Sequence, residues 1–330
     1  MGSGSYNAAI RGVSASGDTI YGRSDAKVDS FFSSTPKERI FKQKNINNAM
    51  NPHGINIRES RDSKEHPKSL AIVIALDVTG SMGTVPYHLI KEGLPNIMGR
   101  IIESGIQDPQ VLFLGIGDHE CDRSPLQVGQ FESSDQLLDK WLTEIYLEGG
   151  GGGNDGESYL LAWYLAGKHT SIDCFEKRNE KGFLFTIGDE PCLRNLSKDR
   201  IEQIMGPGQY GDFTATELLE KAKKMYNVFH VHINETLTGA RKETVAGWKQ
   251  IMGENLIIAE NHEDVAGLIA KTINGFLSAT CKLFVKATNS FVFGVSNCRF
   301  STTVIRLLAA LYDKADLRAS CFTFLFSLKL

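Results

Sequence analysis

The chain is short of several things, and each shortage closes off a class of protein. Its six cysteines, Cys121, Cys174, Cys192, Cys281, Cys298 and Cys321, are scattered and form no CxxC pair. Neither a structural zinc site nor a disulfide framework is therefore indicated, and a reducing, cytoplasmic compartment is expected. No apolar run reaches membrane-spanning length. The opening stretch MGSGSYNAAIRG lacks the apolar centre of a secretory signal, and Tyr6 stands where a myristoylation signal wants Ser or Thr. Charge of either sign is not in excess. Lys and Arg number 36 against 39 acids, a net charge of -3, which argues for neither a nucleic-acid nor a membrane surface. No GxxxxGK[ST] loop occurs, so a P-loop nucleotide enzyme is excluded.

What is present separates into three regions within the 330 residues. Residues 1–68 are rich in Ser, Asn, Gly and charge, and read as a polar, extended or partly disordered lead-in. Residues 69–277 alternate strand and helix patterns. SLAIVIALDV, QVLFLGIGD, KGFLFTIGDE, NVFHVHIN and NLIIAE read as strands, with PLQVGQF as an edge strand. Helices are expected over 85–105, 134–147 (opened by a Ser134 cap), 157–169, 214–226 and 263–277. Such alternation predicts an α/β fold: a doubly wound, mostly parallel, Rossmann-like sheet with helices on both faces and one antiparallel edge strand. The tail from 278 to 330 carries seven Lys or Arg against two acids and reads as a small extension of unassigned role.

The chemistry gathers at strand ends. The apolar run Ile72–Leu76 ends in Asp77, Thr79 and Ser81 at alternate positions. Three hard oxygen donors at the end of a buried strand are costly unless something uses them. In an open doubly wound sheet, ligands sit outside the carboxyl ends of the strands, where strand order reverses. Two further clusters fall at such places: GGGGGNDGES at 149–158, before a helix, and Asp189 at the end of FTIGDE. Oxygen donors without His or Cys suit Mg²⁺, Mn²⁺ or Ca²⁺.

These residues carry a resemblance. DVTGSM resembles the metal-ion-dependent adhesion motif (MIDAS) of von Willebrand factor A (VWA) domains, Asp-x-Ser-x-Ser, with Thr79 in place of the commoner Ser. IGDE is similar to the late strand-end aspartate of that family, and GGGGGNDGESY to its glycine-rich middle motif. Aligning Glu157 and Ser158 brings Asn154 to the coordinating position and leaves Asp155 one residue off; Glu157 is then expected to open the next helix. The resemblance covers residues 69 to about 277. It implies a Mg²⁺ site built from Asp77, Thr79, Ser81, Asn154 and Asp189, with an open position that a partner protein fills with an Asp or Glu carboxylate. It implies an intracellular adaptor without catalysis, with an AAA+ ATPase complex as a partner by the same analogy.

A rival reading comes from another class. DVTGS also resembles the nucleophile loop of haloacid-dehalogenase-type phosphohydrolases, in which the Asp attacks phosphorus beside Mg²⁺. Val78 stands where that family has Lys, and the glycine run follows a helix rather than a strand, so binding is preferred. Two other groups are read as structural. His230 and His232, on one strand face, are expected to pack within the sheet. GDHECD, at 117–122, is expected to be a solvated acidic rim rather than a second metal site.

Overall fold

The computed structural model describes residues 45–89, 94–103, 106, 108–147 and 156–277. The chain divides into two compact units, Met1–Asn274 and Gly275–Leu330; the tail from Ser278 lies outside the described residues.

The strands, in chain order, are β1 (Arg58–Ser60), β2 (Leu70–Asp77), β3 (Pro109–Ile116), β4 (Leu126–Val128), β5 (Thr170–Ile172), β6 (Gly182–Gly188), β7 (Asn195–Leu196), β8 (Phe213–Thr214), β9 (Tyr226–Ile233) and β10 (Leu256–Ala259). The helices are α1 (Val85–His88), α2 (Leu94–Glu103), α3 (Asp135–Thr143), α4 (Leu160–Lys168), α5 (Asp173–Arg178), α6 (Lys198–Met205), α7 (Ala215–Ala222), α8 (Lys242–Met252) and α9 over 265–277.

Six strands form the central sheet in the order β10-β9-β6-β2-β3-β4, parallel except where β4 runs against β3. All eight residues of β2 and of β3 and all seven of β6 are buried, the reason these strands read as unbroken apolar runs. Each Val, Leu, Ile or Phe among them contributes about 1.5–3 kcal/mol by leaving water. From β2 the chain steps outward to β3 and β4, then returns to β6 on the other side of β2. Parallel crossovers are right-handed, so connections running in opposite directions place their helices on opposite faces. The order reverses between β2 and β6. Asp77 is the last residue of β2, and its neighbour across the ladder beyond the Leu76–Ile187 pair is followed at once by Asp189. The fold therefore delivers both acids to one crevice.

Several elements differ from the sequence reading. The helix expected over 85–105 is two pieces, α1 and α2, with residues 90–93 outside the described set. Ser134 stands at the start of α3 but makes no side-chain cap bond. By contrast, Thr214 opens α7 with a reciprocal capping box to Glu217, as TATE suggests. The domain also begins earlier than residue 69. Met50 is fully buried, and β1 pairs in parallel with β5. The polar lead-in is thus built into the domain from residue 45 onward at the latest.

Charge fastens that lead-in. Asp173 opens α5 and is buried, yet it meets Lys177 at 2.6 Å and Arg61 at 2.8 Å and accepts the Asp62 backbone N–H. Burial alone would raise its carboxyl; the Lys177, Asp62 and Arg61 contacts outweigh that and hold it down at about 2. A depressed carboxylate stabilises the fold above its unfolded value of 3.8 and loses that contribution as pH falls toward 2. Asp173→Asn should therefore cost about 1–2 kcal/mol at neutral pH, discounted for the half-exposed Lys177, and nothing near pH 2. Urea unfolding at pH 7 and at the lowest pH the protein tolerates measures this; an equal cost at both would exclude the linkage.

Candidate functional site

The residues following β2 turn immediately. Thr79 takes extended backbone, and Gly80–Met82 make one tight 3-10 turn, so Thr79 and Ser81 point back over the strand end. The Asp77 Oδ1 atom accepts the Thr79 backbone N–H at 3.0 Å and the Thr79 hydroxyl at 2.6 Å. Its Oδ2 atom accepts the Tyr159 hydroxyl at 2.6 Å. The Ser81 hydroxyl donates to Asp189 Oδ1 at 3.0 Å. Asp77 and Asp189 are fully buried, Thr79 nearly so, and Ser81 is exposed. Four of the five residues expected at the site are therefore together. The fifth, Asn154, lies with Asp155 outside the described residues.

Counting protons identifies what this arrangement suits. Thr79 commits its hydroxyl proton to Asp77 and Ser81 commits its own to Asp189, while the two hydroxyl oxygens stand 3.2 Å apart. Each hydroxyl has one proton and two lone pairs, so that close approach sets lone pair against lone pair. Asp189 Oδ2 is buried and has no hydrogen-bond partner. A small hard cation fits these donors: the hydroxyl lone pairs and the free carboxylate oxygen are what it binds. Among the described residues no group of three or more His, Cys, Asp or Glu is placed to hold a metal, because half of this donor set is hydroxyl. Burial first, and the charge of Asp189 second, push the Asp77 carboxyl up to about 7 against the bonds from Thr79 and Tyr159.

The wall behind the site is aromatic. Tyr159 meets the rings of His230 and Trp248 edge-on, each at 5.2 Å, and His230 stacks on Trp248 at 3.4 Å. Both histidines are fully buried: Thr186 bonds His230 and the Gly239 carbonyl bonds His232. Burial lowers both imidazole pKa values, so the pair packs neutral, as expected from its place within the sheet.

Two expectations are corrected here. Glu157 does not open a helix, since α4 starts at Leu160. Instead Glu157 is pinned in an extended bridge beside Cys192, with its N–H on the Pro191 carbonyl at 2.8 Å and its carbonyl taking the Leu193 N–H at 3.0 Å. Its side chain is buried, and burial, then the charges of Asp77, Asp118, Asp122 and Glu190, push it up to about 10. GDHECD is likewise not a solvated rim throughout: Asp118 and His119 are buried, whereas Glu120 and Cys121 are exposed. Tyr159 is the site residue that sequence reasoning missed. Its only signal was its place in GESY, two residues past Glu157 on the same side of an extended segment.

No family model matches the chain, and no curated protein matches it. Among solved structures it is similar to the pilus adhesin SpaC from Lactobacillus rhamnosus GG in its open conformation, at 11% identity and a TM-score of 0.42, over 66% of this chain and 31% of the adhesin. It is also similar to proximal thread matrix protein 1 of the mussel byssus, at 9% identity and a TM-score of 0.40, over 62% of this chain and 47% of that one. The chain thus spans less than half the length of these structures.

Proposed function

We propose that this chain is a VWA-type, metal-dependent protein-binding module. The observation that carries the reading is the convergence of Asp77, Thr79, Ser81 and Asp189 at the switch point, with an unpartnered carboxylate oxygen and two hydroxyls whose protons are already committed. Mg²⁺, or Mn²⁺ or Ca²⁺ in its place, would be held by these four and by Asn154 or its neighbour Asp155 from the glycine loop. When bound, the ion supplies a localised positive charge able to draw in a carboxylate from outside. Ser81, exposed at the rim, marks the side from which a partner's Asp or Glu enters. Tyr159 and Thr79 hold Asp77 in one orientation. The partner is a protein presenting an acidic side chain; an AAA+ complex and a cytoplasmic setting follow from the family resemblance alone. No helix among the described residues is long and apolar enough to cross a membrane.

Binding is favoured over phosphoryl chemistry by the state of Asp77. Both its oxygens already accept hydrogen bonds, which leaves no free oxygen to attack phosphorus. The protein should not hydrolyse an aryl phosphate with Mg²⁺, and a tagged chain should retain its partner from lysate with Mg²⁺ and release it in EDTA. Turnover that disappears in Asp77→Asn, or a partner indifferent to EDTA, would overturn the proposal.

A further inference from the structure

One acidic pair beside the crevice is not used by that function. Asp118 follows β3, the strand next to β2, and is 1% exposed; Glu157 is 7% exposed. The backbone brings the two together. Ser158 donates its N–H to the Gly117 carbonyl at 3.2 Å, and the Ser158 hydroxyl takes the His119 N–H at 2.7 Å. Residues 117–119 and 157–158 are therefore fastened to each other, with Asp118 and Glu157 flanking the fastening. Each retains one buried oxygen without a hydrogen-bond partner: Asp118 Oδ2 and Glu157 Oε2. The other oxygen of Asp118 is held by the Glu120 N–H at 2.8 Å, which fixes the carboxylate. Asp122 crowds the same place, its Oδ2 accepting the Asp118 N–H at 2.7 Å. Buried carboxylate oxygens are normally paired, and leaving two of them unpaired side by side costs several kcal/mol unless a positive charge lies between them.

We propose that Asp118 and Glu157 form a second divalent-cation site, one strand over from the Asp77–Asp189 site and separate from it. The two carboxylates supply the protein ligands, and water completes the shell of a hard ion, as is usual where only one or two acids are available. The site sits at the end of β3, where Glu157 bridges from the segment after β6 to the segment after β3, so an ion here fastens the exit of the glycine loop to the sheet. That loop also carries Asn154, so the second ion fixes the piece of chain that supplies the first site's remaining ligand. The second site stands on its own carboxylates; only this consequence for the first rests on the function proposed above.

Mn²⁺ is the probe, since bound and free ion are distinguished by electron paramagnetic resonance and counted by calorimetry. The full chain should bind two Mn²⁺ at saturation. Asp118→Asn and Glu157→Gln should each reduce the count to one, and Asp77→Ala should also leave one. The amides are close in shape to the acids, and melting of each variant in EDTA checks that it is folded. One ion in the unaltered chain would overturn the proposal. So would two ions in Asp118→Asn together with a Glu157→Gln chain that only melts higher in EDTA, the signature of two carboxyls sharing a proton. If instead Asp77→Ala leaves two ions while Asp118→Asn leaves one, the switch-point reading fails and this one stands.

Discussion

Replacing Asp77 with Ala should abolish the Mg²⁺ response of the protein while leaving it folded. The fold should survive because β2 is held by its buried apolar residues from Leu70 to Leu76, ahead of the site, and by ladders to both β3 and β6. The response should vanish because Asp77 is the hub of the donor set: it anchors the Thr79 hydroxyl and N–H and takes the Tyr159 hydroxyl. Removing even an outer partner of a metal site costs about 10–100-fold in affinity, and Asp77 contributes a charge as well as orientation, so a loss beyond about 100-fold is expected. That is roughly 2.7 kcal/mol. Metal-free stability should move far less, because two effects oppose. Three donors lose their acceptor, which destabilises; a buried negative charge beside Asp189 is removed, which stabilises. Calorimetric titration of Mg²⁺ and melting with and without the ion measure both quantities. Equal Mg²⁺ heats and equal melting shifts in the two proteins would eliminate Asp77 as part of a metal site.

How much of this was legible in the sequence depended on which physical signal each element left. β2, β3 and β6 were readable because a strand covered on both faces must be apolar at every position. Their order around a reversal followed from the alternation with helices, and with it the meeting of Asp77 and Asp189. The elements that escaped notice left no such signal. β1 and β5 are three residues each and carry Arg, Glu, Ser and Thr, held by pairing and by the Arg61–Asp173 contacts rather than by apolar runs. The start of α4 was misplaced because residues 159–166 are all buried, so no amphipathic edge marks where the helix begins, and no side chain caps it. The Asp118–Glu157 pair was hidden for a related reason. Acids at a strand end read as solvated by default, and only the Gly117–Ser158 clamp between distant segments takes them out of water.

The same dependence on distant packing governs Gly188, where a single methyl should reach the site. Gly188 ends β6, and a Cβ placed on it would lie 2.0 Å from the Tyr159 hydroxyl oxygen and 2.7 Å from two of its ring carbons. Tyr159 cannot retreat. It is fully buried, wedged between His230 and Trp248, and its hydroxyl is engaged with Asp77. Overpacking a tight core commonly costs about 1–3 kcal/mol, and Gly188→Ala should fall at or above the top of that range. It should also weaken Mg²⁺ binding, because Tyr159 can only escape the methyl by leaving Asp77. The cause can be separated from a generic strand defect by a double-mutant cycle with Tyr159→Phe, which deletes the atom at 2.0 Å but keeps the ring carbons at 2.7 Å. Tyr159→Phe alone removes a hydrogen bond to a buried carboxylate and should destabilise. On the Gly188→Ala background it should instead recover part of the loss, giving a coupling of at least about 1 kcal/mol between the two positions. Urea unfolding of the four proteins measures it. Additive costs would mean that the methyl is absorbed elsewhere and that Gly188 is not what allows Tyr159 to reach Asp77.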